Sequence, residues 1–193
     1  MSKEIKERPT SAELEAELHR VQYQNRYHAV LRSTVFTLIT VAAVAVLVAT
    51  LWLPVLQIYG SSMTPTLQDG DIIFSVKTQD LEQGDIIAFY YNNKILVKRV
   101  IATAGDWVDI KEDGTVVVNN QPLEEPYLTG KSFGEADIEL PYQVPDGHFF
   151  VMGDHRATST DSRHTVLGCV SPEQIVGKIV FRVWPMSQFG TLE

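Results

Sequence analysis

The 193-residue sequence has only one cysteine, Cys169, and therefore cannot form a disulfide within the chain. It also lacks an excess of basic residues, because 16 Lys and Arg stand against 24 Asp and Glu, for a formal net charge of −8. Nucleic-acid binding needs cations to neutralise phosphates, so nucleic acid is excluded as a partner. No Cys and His residues have the spacing of metal ligands, and no metal or cofactor is expected.

Charged side chains are missing altogether from residues 33–68. Within this window, residues 35–56 are mostly Val, Leu, Ala and Ile, and about 20 apolar residues are enough for a helix to cross a bilayer. A cleaved secretory signal is the alternative, but its apolar region is shorter, about 7–15 residues, and lies near the N-terminus. We therefore predict an uncleaved transmembrane helix over residues 34–56.

The cations on the two sides of this span predict its orientation. Three arginines lie shortly before it, whereas the first cation after it is Lys77. Because positive residues stay on the cytoplasmic side, residues 1–33 are predicted to be cytoplasmic and residues 57–193 extracytoplasmic. The protein is thus expected to cross the plasma membrane once. Thr10 and Glu13 have the pattern of a capping box, which predicts that part of the cytoplasmic segment is helical.

Beyond the span, the sequence has the short β-branched and aromatic runs that are typical of strands. Asp113-Gly114, between two such runs, predicts a hairpin. We predict a mainly β domain with antiparallel sheets curled into a barrel-like core. Residues 122–146 are expected to form an extended connection or a small accessory hairpin. The predicted strands lie within residues 71–78, 85–91, 94–104, 107–112, 115–119, 148–152 and 178–184.

The first candidate for chemistry is "YGSSMTPTL", residues 59–67. A serine hydroxyl is a weak nucleophile that a neighbouring base must activate. Pro65 fixes its own φ and keeps the preceding residue extended, so the turn is stiff, and Gly60 lets another backbone approach closely. The pattern suits a nucleophilic serine, although serine-rich turns are common and nothing in it separates Ser61 from Ser62.

The second candidate is Lys98, which stands in an otherwise apolar strand segment. Alternate residues of a strand share a face, so Lys98 is predicted to point with Leu96, Val100 and Ala102. Desolvation lowers the pKa of a lysine and so makes it a general base near neutral pH. The alternative is a lysine on the solvated edge of a hairpin. Arg99 points the opposite way and is predicted to form a structural ion pair.

The third candidate is "VMGDHRATSTDSR", residues 151–163, which follows an apolar strand. Its acids and arginines are predicted to form ion pairs that stiffen the loop, and its serines Ser159 and Ser162 are placed to orient a neighbouring amine. A solvated polar loop is the alternative. The charged residues of the segment are Asp154, Arg156, Asp161 and Arg163.

The segments "GSSMTPTL", "GDIIAF", "VKRVIATAGD" and "VMGDHRATSTDSR" follow one another in this order behind an apolar span. In this combination the sequence resembles the type I signal peptidases, bacterial membrane-anchored Ser/Lys endopeptidases. The resemblance covers the anchor and residues 57–184. It implies removal of signal peptides after small residues of the A-x-A type, through an acyl-enzyme, at the outer membrane surface. It also implies three partners, namely the signal peptides of exported preproteins, membrane lipid and the secretion translocon.

The resemblance also implies roles for individual residues. Ser62, the serine before Met, is the expected nucleophile and Lys98 the general base. Ser159 is expected to support the lysine, while Asp161 and Arg163 brace the site.

The Ser62 N–H is the expected oxyanion donor. Some members of the family add a serine hydroxyl two positions earlier, where this chain has Gly60. The residues expected to contact the substrate are Gln57, Ile58, Tyr59, Leu96 and Val97. The chain departs from the family pattern at His155, where Asn is usual, and at Ala102 and Ala104, which replace Gly and Pro.

Other interpretations remain open at this point. His155 suggests a Ser-His-Asp triad with Asp154 or Asp161, which requires the imidazole to reach Ser62. A Ser-x-x-Lys arrangement is excluded, because Pro65 stands three residues after that serine. A self-cleaving regulatory protease shares the dyad but normally carries a DNA-binding domain and no anchor. A non-catalytic β module that binds exported peptides is the remaining alternative.

Overall fold

The structure is a computed structural model that describes residues 11–52, 54–78 and 80–192. The chain divides into two compact units, Met1–Ala49 and Thr50–Glu193. Helix α1 spans Ser11–Trp52 and accounts for the described part of the first unit. Its segment Glu17–Val48 is long and apolar enough to cross a membrane, by length and composition alone. The predicted cap Thr10 lies outside the described residues.

Helix α1 ends at Trp52, four residues before the predicted end of the span. Pro54 follows closely, and proline has no backbone N–H to donate to a helical carbonyl and clashes with the preceding turn. The chain then becomes extended, and Val55–Gln57 forms the first strand. Val55 and Leu56, which the hydropathy pattern assigns to the span, therefore belong to the β structure.

The remaining elements are strands, as the sequence predicts, and two 3₁₀ helices, Pro172–Gln174 and Met186–Gln188. All seven predicted runs contain a strand, and a mainly β, antiparallel domain is confirmed. The strands are β1 Val55–Gln57, β2 Ile72–Val76, β3 Ile86–Tyr91, β4 Lys94–Ala102, β5 Trp107–Ile110, β6 Val116–Val118, β7 Gln121–Pro122, β8 Tyr142–Gln143, β9 Phe150–Met152, β10 Ile175–Trp184 and β11 Gly190–Thr191.

The strands form two antiparallel sheets. The larger has the order β1-β2-β10-β3-β4-β9, with β11 added to β10, and the smaller has the order β7-β6-β5-β8. Each sheet is open, with an edge strand at both ends, within the described part of the chain. The barrel-like closure that we expected is therefore not confirmed. The predicted hairpin joins β5 to β6, and Gly114 in its turn has a φ of +83°, which glycine adopts without strain.

Residues 123–141, which connect β7 to β8, form no strand or helix in the structure. We call this segment the strap. It is an extended connection, one of the two forms that the sequence predicts for this region. Four of its partly buried side chains pack against a core cluster that lies mainly on β4, β5, β6 and β9. They belong to Leu123, Phe133, Ile138 and Leu140.

Candidate active site

Ser62 lies in a turn between β1 and β2 that is fastened to the core by two apolar side chains. Met63 and Leu67 are buried, and they pack with Ile58 and Ile73 in one hydrophobic cluster. Within the turn, the Leu67 N–H donates to the Met63 carbonyl at 2.9 Å. Ser62 itself is half-buried. Because its neighbour Met63 is anchored in the core, the serine has a defined position at the surface of the domain.

The chain enters this turn through Gly60, whose φ of +92° lies in the left-handed region that glycine tolerates best. The Gly60 N–H donates a hydrogen bond to Asp69 Oδ1 at 2.7 Å. Next to it, the Ile58 N–H donates to the Asp71 carbonyl at 2.8 Å. The segment before Ser62 is thus held along one side, and Ser61 is exposed.

Lys98 lies on β4, which β10 and β3 separate from β2 in the sheet, and its side chain reaches the serine turn. Its Nζ donates a hydrogen bond to Ser62 Oγ at 2.6 Å, although the two residues are 36 positions apart. Only 3% of Lys98 is exposed, so the alternative of a solvated lysine is wrong. Burial lowers the pKa of Lys98 to about 8, against the attraction of Asp161 and Asp154, which raises it. A neutral amine is therefore accessible near physiological pH.

Arg99 points away from Lys98 and forms the structural ion pair that the sequence predicts. Its Nε and Nη2 donate to the two carboxylate oxygens of Asp154, at 3.0 and 2.8 Å, and both side chains are buried. Thr66 Oγ1, from the serine turn, also donates to Asp154 Oδ2, at 2.5 Å. Asp154 thus connects the strand of the lysine with the turn of the serine.

Asp161 and Arg163 form a second buried ion pair. Arg163 Nε and Nη2 donate to the two oxygens of Asp161, at 2.8 and 2.9 Å. Burial raises the pKa of Asp161, but the Arg163 side chain and the Gly153 N–H, which donates to Oδ2 at 3.0 Å, outweigh this and leave the pKa below its usual value. The carboxylate therefore stays charged, as a brace for the loop requires.

Ser159 and Ser162 have different surroundings. Ser162 Oγ accepts a hydrogen bond from the Val151 N–H at 2.9 Å and so supports β9. Ser159 Oγ is buried and has no hydrogen-bond partner among the described residues. It lies beside Gly153, where an added Cβ would stand 2.2 Å from Ser159 Oγ and 2.5 Å from the Ser62 carbonyl oxygen. The structure therefore brings Ser159 close to the serine turn, without a hydrogen bond to Lys98.

His155 touches the site through its backbone. Its N–H donates to the Ser62 carbonyl oxygen at 3.0 Å. The imidazole Nδ1 pairs with Thr158 Oγ1 at 2.8 Å. Among the hydrogen bonds of the described residues, none joins the imidazole to Ser62, so this geometry does not form the triad considered from the sequence.

A cleft of about 690 Å³ adjoins Ser62. Two extended segments form its walls, residues 56–60 and residues 93–97. Strand β4 pairs with β9 only from Arg99 onward, and β1 pairs only with β2. Each wall therefore has an unpaired strand edge within the described part of the chain. All five residues predicted to contact the substrate line the cleft, namely Gln57, Ile58, Tyr59, Leu96 and Val97.

The sequence reasoning missed several residues that hold these groups in place. Asp69, Thr66 and Gly153 lie within or directly beside the recognised segments, and this position is the one weak signal that could have found them. Glu125 and Tyr127 lie in the strap, where no pattern of spacing pointed to the site.

Comparison with known proteins identifies the family. The family model described as signal peptidase, peptidase S26, matches residues 31–184. The chain belongs to this signal peptidase family. Signal peptidase IB of Staphylococcus aureus strain Mu50 is 40% identical over an alignment of 152 residues, and the alignment covers 68% of this chain and 78% of that protein. Signal peptidase I of Bacillus caldolyticus is 40% identical over 162 residues, covering 74% and 87% of the two chains.

Among solved structures, a signal peptidase I from Enterococcus faecalis V583 is similar, with 29% identity and a TM-score of 0.44 over 51% of this chain and 96% of that one. The resemblance that the four segments indicated is confirmed by the family match. As a member of the signal peptidase family, the chain is a serine peptidase.

Proposed function

We propose that this signal peptidase family member removes N-terminal signal peptides from exported preproteins, with Ser62 as nucleophile and Lys98 as general base. The observation that carries the proposal is the contact of 2.6 Å between Lys98 Nζ and Ser62 Oγ, made by a lysine that is almost fully buried. A general base must lie within hydrogen-bond reach of the proton that it takes, and its pKa must lie near the working pH. Lys98 meets both conditions.

The reaction proceeds through an acyl-enzyme. Neutral Lys98 takes the proton of Ser62 Oγ as the oxygen attacks the carbonyl at the end of the signal peptide. The resulting tetrahedral intermediate collapses, the C–N bond breaks, and the lysine gives its proton to the leaving amine. A water molecule, deprotonated by the same lysine, then attacks the ester and releases the signal peptide.

The Ser62 N–H is the proposed donor to the oxyanion. It donates to no other group in the described part of the chain, and it belongs to the turn that Met63 anchors. Loss of one such donor costs about 3–4 kcal/mol of transition-state stabilisation in comparable sites. Gly60 has no side-chain oxygen to add, so a further donor in this enzyme comes from the main chain or from water.

The substrate is proposed to bind as an extended strand in the cleft. Main-chain hydrogen bonds to an unpaired strand edge give affinity, and side-chain pockets give specificity. The free edges of residues 56–58 and 94–97 offer such bonds on both walls. Signal peptides end in small residues of the A-x-A type, and we propose that these residues occupy the part of the cleft beside half-buried Ser62.

Helix α1 is proposed to anchor the enzyme in the plasma membrane, with the N-terminus in the cytoplasm and the catalytic domain outside. Its apolar segment has the length that a bilayer requires, and Arg20, Arg26 and Arg32 precede the apolar core. Membrane lipid and the translocon are the partners that follow from this location. The anchor keeps the serine at the surface where translocated signal peptides are held.

The test is cleavage of a preprotein with an A-x-A site by the full-length enzyme in lipid vesicles. We expect the wild type to release the mature protein, and Ser62→Ala and Lys98→Met to release none. Ser61→Ala is the matched control and should cleave normally, because Ser61 is exposed. A Lys98→Met enzyme that processes the preprotein overturns the dyad. A wild type that binds the preprotein without cutting it indicates a binding module instead.

A further inference from the structure

We propose that the strap positions the catalytic pair through two side chains, Glu125 and Tyr127. The inference rests on the Ser62/Lys98 dyad proposed above and adds two positioning residues that lie outside the four recognised segments. Neither side chain lines the substrate cleft. Each acts through a buried arginine.

The first connection runs from Glu125 to the backbone beneath the serine. Glu125 forms an ion pair with Arg156, and neither side chain has any exposed surface. Arg156 Nε donates in turn to the Gly153 carbonyl oxygen at 3.0 Å. Glu125 thus fixes the direction of the guanidinium that holds Gly153.

Gly153 has no room to move without disturbing the site. A Cβ placed on it would lie 2.2 Å from Ser159 Oγ and 2.5 Å from the Ser62 carbonyl oxygen. Its N–H is held by Asp161 Oδ2 at 3.0 Å, and its carbonyl is held by Arg156. Because the backbone of Gly153 is packed against the serine turn, a shift of Arg156 is transmitted to Ser62.

The second connection runs from Tyr127 to the strand of the general base. The Tyr127 ring lies 3.8 Å from Arg99 Cζ, in the geometry of a cation–π contact. Arg99 follows Lys98 on β4 and makes the paired hydrogen bonds to Asp154. The Tyr127 hydroxyl donates to Glu125 Oε1 at 3.1 Å, so the two connections are joined within the strap.

The energetics of the Glu125–Arg156 pair favour a positioning role over a stabilising one. Glu125 Oε2 and Arg156 Nη1 are buried without a hydrogen-bond partner in the part of the chain that the structure describes. Each such group lowers stability, because no hydrogen bond offsets its removal from water. Replacing a buried ion pair with apolar residues of similar volume is often neutral or stabilising. A contribution to stability therefore does not explain why Glu125 and Arg156 are paired here. A role in orienting the Gly153 backbone does explain it.

The experiment compares full-length wild type with the double variant Glu125→Leu and Arg156→Leu, in detergent micelles, on an A-x-A preprotein. We expect kcat to fall about 10- to 100-fold, as misplacement of a reacting group by about 1 Å does. KM should stay at the wild-type value, because the cleft is untouched. The Tm should equal or exceed that of the wild type, since the double variant leaves no charge unpaired.

A pH profile separates positioning from an electrostatic effect. The charged groups that face Lys98 and shift its pKa are Asp161, Asp154 and Arg163. The double variant keeps these three charged groups. The acid limb of its kcat–pH profile should therefore lie at the same pH as in the wild type, while kcat is lower at every pH. A shift of the acid limb of the profile to another pH in the double variant overturns the positioning role.

Tyr127→Leu keeps the proposal testable if the double variant fails to fold, because it removes the ring over Arg99 and unpairs no buried charge. We expect a fall in kcat of about tenfold at constant KM. Glu124→Gln, an exposed neighbour in the strap, is the matched control and should behave as wild type. The proposal is overturned if the folded strap variants keep the wild-type kcat. A wild type that cleaves no preprotein overturns the proposed function instead.

Discussion

The backbone N–H of His155 donates a hydrogen bond to the carbonyl oxygen of Ser62 at 3.0 Å. This bond links the loop after β9 to the peptide unit of the proposed nucleophile. Asp154, the preceding residue, holds Thr66 of the same turn and Arg99 of β4. Two adjacent residues of the loop therefore fix the serine turn, one through the main chain and one through a side chain.

The Ser-His-Asp alternative predicts that the imidazole of His155 is essential, whereas the present geometry uses only its backbone. We expect His155→Ala to retain preprotein cleavage, because the N–H that holds Ser62 remains and the imidazole pairs with Thr158 alone among the residues that the structure describes. Cleavage by the purified variant measures this directly. Loss of activity in a folded His155→Ala enzyme, together with activity in Lys98→Met, contradicts the Lys98 mechanism.

The pH dependence of kcat/KM should report the buried lysine. The pKa of Lys98 is about 8, and only the neutral amine accepts the serine proton. The rate should therefore rise with pH, reach half of its maximum near pH 8, and fall about tenfold per unit well below it. A peptide substrate without groups that ionise between pH 6 and 10 is suitable. An acid limb centred near 6.5 indicates a histidine base instead.

Replacement of Lys98 should also raise stability. The pKa of Lys98 is about 8 in the folded protein against 10.5 for a free lysine, so the folded state disfavours the bound proton. The resulting penalty is fully present below pH 8 and disappears as pH rises past 10.5. At pH 7 it amounts to about 3 kcal/mol, which Lys98→Met removes.

We therefore expect a higher Tm for Lys98→Met at pH 7, with a difference from wild type that shrinks toward pH 10. Lys94→Met, on an exposed position of the same strand, is the control and should leave the Tm unchanged. A lower Tm for Lys98→Met at pH 7 is incompatible with a desolvated lysine.

Removing only one partner of the Arg99–Asp154 ion pair should strongly lower the free energy of unfolding. Asp154→Ala leaves the Arg99 guanidinium, which is 1% exposed, as an uncompensated buried charge. Such a change costs about 3–5 kcal/mol. Asp85→Asn removes the partly exposed pair with Lys178, for which about 0–1 kcal/mol is expected. Thermal unfolding of the two variants should show a much lower Tm for Asp154→Ala than for Asp85→Asn. Equal Tm values contradict the structural role of Asp154.

The sequence predicted what depends on local pattern. The strands, the hairpin at Asp113-Gly114 and the turn of Ser62 each follow from residues within a short window. Alternation along β4 placed Lys98 on an apolar face but left a solvated lysine open, and it was the resemblance to the family that favoured a buried base. The four segments in order then pointed to the family, which the comparison confirms.

What the sequence did not predict depends on contacts between distant residues. The cation–π contact of Tyr127 with Arg99 joins the strap to β4 and leaves no periodic signal. Hydropathy extended the span to residue 56, because Val55 and Leu56 are apolar in a strand as well as in a helix. The larger sheet is open and not a closed barrel. Whether a sheet closes depends on pairing between strands that are distant in the sequence, which short sequence patterns do not reveal.

In the proposed mechanism, the contact between Ser62 and Lys98 also makes activity conditional on folding. In an unfolded chain the lysine pKa returns to about 10.4, so nearly every lysine is charged at neutral pH and no base faces the serine. The loop that holds the serine turn begins more than fifty residues after Lys98, near the end of the domain. A chain that has not yet folded therefore lacks the proposed base, and we expect cleavage only after the loop that follows β9 has packed against the serine turn.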